Sequence, residues 1–418
     1  MIYIHVPFCK SFCVYCAFYS ELCSGAKASD SQELFVRGML QEIRCRRSEI
    51  AAHSRPLAGE SARPGSRPSP APRTLYVGGG TPSQLPPALL RRIVEALPPD
   101  AGADEFTVEV NPEDIVTGGP GYVRELLAMG VNRISMGIQS FDDEVLRWMR
   151  RRHSAAAARE AFRLLRAAGV QNISIDLICG IAGLSDETLL ETLREAVSLR
   201  PEHISVYQLS PDEGSDLYDM IASGEYEPMQ DEGCRRQYEL VCRTLAEAGY
   251  RHYEVSNWAL PGREAVHNSA YWRRSPYIGL GPGAHSFDGE RRRWNGPLPP
   301  EGTFEAGISP EEASHVRLSP EGAPAAPMPG VTPAAPSPQN LPWGFEQEVL
   351  TDENARIETI MLGLRTADGV DAAWLEANCD PDALQEDLHM GSIVLRQGRY
   401  RIPESSFFVS DDIIASLI

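Results

Sequence analysis

Short apolar runs alternate with longer amphipathic stretches through the first two-thirds of the chain. Runs rich in β-branched residues and bounded by Gly, Pro or Asn fall at 2–6, 74–77, 105–110, 133–138, 172–178 and 203–208, and they predict strands. Between them, apolar residues recur at helical spacing at 31–50, 89–97, 122–129, 154–168 and 186–199. The stretch 154–168 opens on Ser154 and is closed by Gly169, which suits a helix C-terminus. Six β–α units in a row predict a parallel sheet with right-handed crossovers. The polar motifs recur where successive strands end, so the expected architecture is a partial (β/α)6 barrel with its site at the C-terminal rim.

Two stretches break this rhythm. Residues 54–73 hold five prolines and four arginines without apolar periodicity, and predict a disordered insertion. Residues 301–344 predict a Pro-rich linker, densest at 319–342 with eight prolines. Beyond it, helical patterns at 353–364, 372–377 and 382–390, a hairpin at 392–402 turning near Gln397-Gly398, and a helix after Ser410 predict a small α+β, winged-helix-like unit over 345–418. The barrel is expected over residues 1–300.

Composition narrows the function. The chain has 418 residues and a formal net charge of −19, from 39 basic and 58 acidic side chains. That balance argues against a nucleic-acid or anionic-membrane binder. No run of roughly 18 apolar residues could span a bilayer, and the N-terminus does not read as a signal peptide. Nine cysteines at irregular spacing do not form a disulfide framework. The expected compartment is a reducing cytoplasm. Cys45, Cys234 and Cys242 read as ordinary thiols, and Cys23 as a distant reserve ligand.

Cys9, Cys13 and Cys16 lie in a C-x3-C-x2-C loop just after the first strand. Three thiolates can hold three corners of a [4Fe–4S] cubane, which normally takes four cysteines. One iron would stay open to a ligand outside the protein. A structural zinc is the rival, and it would need a fourth donor such as His5. The run Gly78-Gly79-Gly80-Thr81-Pro82 ends the second strand. Its glycines let backbone approach a ligand closely, and no Gly-Lys-Ser/Thr follows to make it a P-loop.

With these two motifs stand Glu109-Val-Asn-Pro112, Ser135-Met-Gly-Ile-Gln-Ser-Phe141, Asp176-Leu-Ile178 and Gly281-Pro-Gly-Ala-His-Ser286. In this order the set resembles the radical S-adenosylmethionine superfamily, and within it the branch of oxygen-independent coproporphyrinogen III oxidases and their relatives. The resemblance runs from Tyr3 to about residue 295 and resumes near Glu353. It implies a [4Fe–4S] cluster on Cys9, Cys13 and Cys16 whose open iron is chelated by S-adenosylmethionine. It implies that Gly79, Gly80 and Thr81 meet the methionine portion of that cofactor and Glu109 its cationic portion or ribose. By the same resemblance Gln139 and Asp176 reach the ribose hydroxyls, Arg151 faces the methionine carboxylate, and Tyr3 and Tyr15 pack beside the cluster. His5 and His285 are expected to be framework residues near the cluster.

The oxidases of this branch carry a further cysteine two residues after the third, where this chain has Phe18. The segment His267-Asn-Ser-Ala-Tyr-Trp272 resembles the His-Asn-x-x-Tyr-Trp signature of the branch's heme chaperones. That resemblance implies a protein that binds heme and delivers it to acceptor proteins. His267 would be a candidate axial ligand, and Tyr271 and Trp272 would pack on the porphyrin. Homodimerisation, gated by cluster and cofactor, and an acceptor at a membrane face belong to the same expectation. The rival is radical decarboxylation of coproporphyrinogen III, for which Phe18 speaks unfavourably. The chain also departs from its relatives at Ile181-Ala-Gly-Leu184, at Cys179 and in the length of the linker.

Overall fold

The computed structural model describes residues 1–25, 28–53, 72–299 and 341–418. Six parallel strands run through the larger unit: β1 (Ile2–Val6), β2 (Thr74–Gly79), β3 (Glu105–Val110), β4 (Arg133–Gln139), β5 (Ile173–Cys179) and β6 (His203–Gln208). They are adjacent in chain order. The registers pair Val6 with Gly79, Val77 with Val108, Glu109 with Ser135 and Asp176 with Ser205. The partial (β/α)6 barrel is therefore present. Two edges were not anticipated. An antiparallel ribbon, β7 (Arg251–Glu254) and β8 (Asn257–Ala259), extends the sheet beyond β6, and β9 (Ile278–Leu280) adds a parallel strand outside β1.

Side-chain alternation along these strands positions the site. Ile2, Ile4, Leu75, Val77, Phe106, Val108, Ile134, Met136, Ile173, Ile175, Ile204 and Val206 form the apolar face and belong to the main hydrophobic core. The opposite face carries Tyr76, Glu109, Ser135, Asp176 and His203, which hydrogen-bond to one another or to neighbours on the same face. Both faces are buried, so the period-2 pattern separates an apolar layer against the helices from a polar layer lining the barrel.

Several helices follow the expected signals. Ser154 caps Ala155–Ala167 by accepting from the Ala157 N–H, and Ser185 caps Asp186–Leu199 in the same way from Thr188. The stretch expected as one helix at 31–50 is two, Ala28–Cys45 and Arg47–His53. At the break the buried Arg46 guanidinium holds Glu42, Glu49, the Gly279 carbonyl and Ser286.

The expected linker ends earlier than its composition suggests. Residues 54–71 of the insertion and 301–340 of the linker lie outside the described residues, but Leu341 and Trp343 are buried. Trp343 stacks on Phe35 and donates its indole N–H to Glu42 Oε2 at 2.7 Å. Glu42, wholly buried, also accepts from Arg46, Asn295 and the Gly281 N–H. Strand β12 (Phe345–Val349) then pairs with β11 (Arg291–Asn295), and β11 with β10 (His285–Phe287). Thus 341–349 belongs with the barrel, because Glu42 needs the donors converging on it. Replacing Trp343 by Phe removes one of them, and the expected loss is about 1–3 kcal/mol, read as a lower denaturant midpoint at unchanged slope.

The C-terminal unit contains helices Asp352–Leu364, Ala372–Glu376, Pro381–Met390 and Ser410–Leu417, with a three-stranded antiparallel sheet from Val370–Asp371, Val394–Arg396 and Arg399–Arg401. The hairpin turns at Gln397 and Gly398, both at positive φ. This is the winged-helix-like arrangement expected.

Candidate functional site

The cysteine loop leaves the C-terminal end of β1 and lies against the glycine run at the end of β2. The Gly80 N–H donates to Val6 O and the Thr81 N–H to Phe8 O. Thr81 Oγ1 is 3.4 Å from Cys9 Sγ. A Cβ on Gly80 would sit 2.9 Å from Phe8 O and 3.1 Å from Cys9 Sγ, so only glycine lets the two segments meet this closely. Gly281 does the same for the framework: its φ is +98°, and a Cβ there would lie 2.5 Å from His5 O. This accounts for the Gly281–Ser286 motif as packing of the segment after β9 on β1.

Lys10 ties the loop down through Asp114 at 3.2 Å, and Asp114 also takes Ser83, Gln84 and Arg152. Burial, the largest single influence, would raise the Asp114 carboxyl; Arg152, Ser83 and Lys10 together outweigh it and hold the group below its usual range. The three consecutive arginines have separate tasks. Arg150 pairs with Asp216 at the surface, and Arg152 pairs with Glu113 and the buried Asp114 that anchors the loop. Arg151 turns inward: Nη1 is 3.2 Å from Cys13 Sγ, Nη2 donates to Gly137 O at 2.6 Å, and Nε is buried without a protein partner. Burial raises the Cys9 thiol, and it raises Cys16 to about 11. Burial likewise raises the Tyr15 hydroxyl, with Arg151 opposing and Cys13 and Cys16 reinforcing the shift, so Tyr15 lies in the same neighbourhood as these groups.

On the strand ends, Glu109 Oε1 accepts from the Tyr76 hydroxyl at 2.7 Å. Burial, reinforced by Asp176, pushes this carboxyl up to about 7 against the lowering effect of Tyr76 and the Gly79 N–H. Asp176 lies 3.3 Å from Ser135 Oγ and is also raised by burial. Gln139 sits at φ +71° where the β4–β5 register shifts, and its Oε1 is buried without a protein partner. Gln139 and Arg151 are neighbours: both approach the position a Gly137 Cβ would take. Tyr3 packs on Tyr76 and donates to or accepts from His5 Nδ1 at 3.0 Å.

These residues fit a cluster and its cofactor. Three thiols stand on a loop beside the Arg151 guanidinium, whose Nε has no protein partner, and the Gln139 amide oxygen is likewise without one, next to strand ends carrying the Glu109 and Asp176 carboxyls. Cys9, Cys13 and Cys16 would hold a [4Fe–4S] cluster. Gly79, Gly80, Thr81, Glu109, Gln139, Arg151 and Asp176 would line the place for S-adenosylmethionine.

The histidines take separate places. His267 is 1% exposed and both ring nitrogens are engaged, Nδ1 with Thr74 Oγ1 at 2.6 Å and Nε2 with the Tyr271 hydroxyl at 2.9 Å. Its helix, Val266–Trp272, docks its first N–H groups on Glu105 at the start of β3. The rim is at the other end of these strands, about 16 Å away at 3.3 Å per residue. His267 therefore has no free nitrogen for heme iron in this conformation, and it braces the barrel with Tyr271. Burial lowers its pKa to about 3, so it is neutral. Trp272 is half-buried at the end of the same helix. His285 stacks on Trp294 at 6.1 Å. His5 is buried and bonds Tyr19 O at 2.8 Å. Cys23 Sγ points to Ala28 O at 3.7 Å, and Phe18 is 74% exposed.

Tyr76 and Arg133 escaped the motif reading, and Ser135 stood in a motif without a role assigned to it. Arg133 is buried, with Nε and Nη1 lacking partners, among Glu105, Tyr76 and Asp176. The signal was present as polar residues alternating with apolar ones along strands of a parallel sheet, which are usually near-continuous apolar runs.

Comparison with known proteins agrees with this geometry. Residues 3–196 match the radical SAM superfamily. The heme chaperone HemW of Mycobacterium tuberculosis is 36% identical over 306 residues, covering 70% of this chain and 71% of that protein. HemW of Bacillus subtilis is 31% identical over 301 residues, with 71% and 73% covered. HemW of Escherichia coli is 34% identical over 291 residues, with 68% and 69% covered. Among solved structures, the coproporphyrinogen III oxidase HemN of Escherichia coli superimposes with a TM-score of 0.71 at 18% identity, over 99% of this chain and 89% of that one. At that identity the likeness is one of fold.

Proposed function

Because the chain belongs to the HemW family of the radical SAM superfamily, we propose that it is a heme chaperone, binding heme and passing it to acceptor proteins, with one [4Fe–4S] cluster on Cys9, Cys13 and Cys16 and S-adenosylmethionine at the rim. The observation that carries the reading is identity of 31–36% to heme chaperones over about 70% of both partners, in a chain whose rim keeps the three-thiol loop. When bound, such a cluster supplies a one-electron donor and an iron without a cysteine as a site for the cofactor's amino and carboxylate groups. The chain's own residues have distinct tasks. Arg151 offers its Nε and its charge to an anion beside Cys13, where a carboxylate makes a strong guanidinium contact. Glu109 offers a carboxylate to a cation, and Gln139 and Asp176 offer hydrogen-bond partners to hydroxyls. His267 acts as a positioning residue that holds the Val266–Trp272 helix on β2 and β3.

No helix among the described residues is long and apolar enough to cross a membrane. The acceptor, whether free or at a membrane face, would be met at the protein's surface, and dimerisation is part of the proposal.

Heme titration of the anaerobically reconstituted protein tests this. The expected result is a Soret band that shifts saturably at one heme per chain, followed by transfer to apomyoglobin as a probe acceptor. His267→Gln is expected to weaken retention without changing the ligand signature in electron paramagnetic resonance, since it positions and does not ligate. No saturable shift, or uptake without transfer, overturns the reading. Conversion of coproporphyrinogen III to protoporphyrinogen in the presence of S-adenosylmethionine and a reductant would favour the oxidase instead.

A further inference from the structure

At the sheet edge far from the cysteine loop, three donors meet that the rim does not use. Cys242 lies on the helix Asp231–Glu247, His252 on β7, and Glu404 opens the turn Glu404–Val409 of the C-terminal unit. One donor atom from each lies within 4.8 Å of the other two. Read from the sequence alone, Cys242 is an ordinary thiol; the fold brings its partners from positions 10 and 162 residues further on.

The imidazole is held rigidly. It stacks on Trp258 with centroids 4.0 Å apart and planes 10° from parallel, meets Phe407 edge-on at 5.0 Å, and its side chain is 5% exposed. Its Nδ1 is 2.9 Å from Glu404 Oε1. Its Nε2 is 3.4 Å from Val255 O and 3.4 Å from the Tyr238 hydroxyl, whose own proton goes to Val255 O at 3.0 Å. Both ring nitrogens thus face oxygen acceptors. A neutral imidazole carries one N–H and can satisfy one of them. A proton on each nitrogen would also satisfy both, as an imidazolium paired with the Glu404 carboxylate. A metal ion at Nδ1 satisfies both without that proton: Nε2–H donates to Val255 O, and Nδ1, the Glu404 carboxylate and the Cys242 thiolate converge on the ion. A backbone carbonyl on the far nitrogen is the usual outer partner of a metal-bound histidine.

We propose that Cys242, His252 and Glu404 form a binding site for a borderline divalent cation of the zinc class. Thiolate, imidazole and carboxylate together suit Zn2+, and hard cations such as Mg2+ avoid sulfur. Ligand bonds of about 2.0–2.3 Å place tetrahedral donors roughly 3.3–3.8 Å apart, so small rotations of Cys242 and Glu404 complete the site. The Glu404 side chain is 48% exposed, which gives the ion an entry path and leaves the fourth position to water. The ion would bridge the barrel and the C-terminal unit at a seam already joined by Val255 N–H to Arg365 O and Ala367 N–H to Tyr253 O, each 3.0 Å.

The test uses the full chain with Cys9, Cys13 and Cys16 replaced by Ala, so that the loop cannot compete for metal. After chelator treatment, Zn2+ is expected to bind at one ion per chain and to raise the thermal midpoint. Co2+ in its place is expected to give a thiolate charge-transfer band. Cys242→Ser is expected to abolish that band and weaken Zn2+ binding by more than about 100-fold. Glu404→Gln, at an exposed side chain, should weaken it by about 10–100-fold with the fold preserved. Cys379→Ala should change neither. Absence of stoichiometric Zn2+, which would leave a plain imidazolium–carboxylate pair, or binding undiminished in Cys242→Ser, overturns the proposal.

Discussion

Cys13→Ala is expected to leave a folded protein that cannot retain an iron–sulfur cluster: iron near zero after anaerobic reconstitution, and no brown chromophore. Two thiolates would remain where a cubane needs at least three. The loss should exceed the roughly 10–100-fold effects typical of outer-shell changes. The fold should survive, because Cys13 is only half-buried and the loop is anchored elsewhere, by Lys10 on Asp114 and by Thr81 on Phe8. Cys23→Ala is the control; its thiol faces Ala28 O and should load iron normally. Loading should also depend on pH with a definite sign. Cys9 and Cys16 are raised by burial, and ligation requires thiolates, so assembly releases protons and strengthens as pH rises. Full iron content in Cys13→Ala, or loading that improves on acidification, would remove the cluster from this loop.

Arg151→Ala separates a cluster role from a cofactor role. The guanidinium touches Cys13 Sγ and Gly137 O while its Nε is unmet. If it serves an anion of the cofactor, the variant keeps its iron and loses S-adenosylmethionine affinity, which equilibrium binding would show. Loss of both would make Arg151 part of the loop's own framework.

What the sequence disclosed and what it hid divide along physical lines. Strands β1 to β6 were legible because β-branched runs bounded by Gly and Pro report local preference, and the rim motifs because they sit where those runs stop. Strands β7, β8 and β9, of three or four residues each, were not: they are held by pairing with β6 and β1, which no local pattern announces. Trp343 was hidden by proline-rich neighbours, since burial against Phe35 and Glu42 is a long-range fact. His267 was visible as a motif, but its partners Thr74 and Tyr271 were not, because a motif does not say which nitrogens are already engaged. Tyr76 and Arg133 could have been found from polar residues at alternate strand positions. The Cys242–His252–Glu404 group had no sequence signal at all.

Glu109→Gln is expected to act in opposite directions on stability and on cofactor binding. In the folded protein the carboxyl titrates at about 7, against 4.5 for the free group, because burial disfavours its charge. Between these values the native state binds more protons than the unfolded chain, so stability falls as pH rises through the window. A shift of that size corresponds to about 3 kcal/mol. The amide introduced by Glu109→Gln cannot ionise, keeps the oxygen that accepts from Tyr76, and avoids the loss. The cofactor-free variant should therefore be more stable than the parent by about 2–3 kcal/mol at pH 8 and no more stable at pH 4.5. Glu254, also raised to about 7 by burial, titrates in both proteins and cancels in the difference. Binding runs the other way. A cation beside Glu109 favours the carboxylate, so parent affinity for S-adenosylmethionine should strengthen as pH rises through about 7. The variant should bind about 10–100-fold more weakly, from the 1.5–3 kcal/mol of a charged hydrogen bond, with little dependence on pH. A variant less stable than the parent at pH 8 would show that Glu109 is stabilised as an anion by the protein itself; undiminished binding would move the cation to Asp176, which acts on Glu109 across the same face.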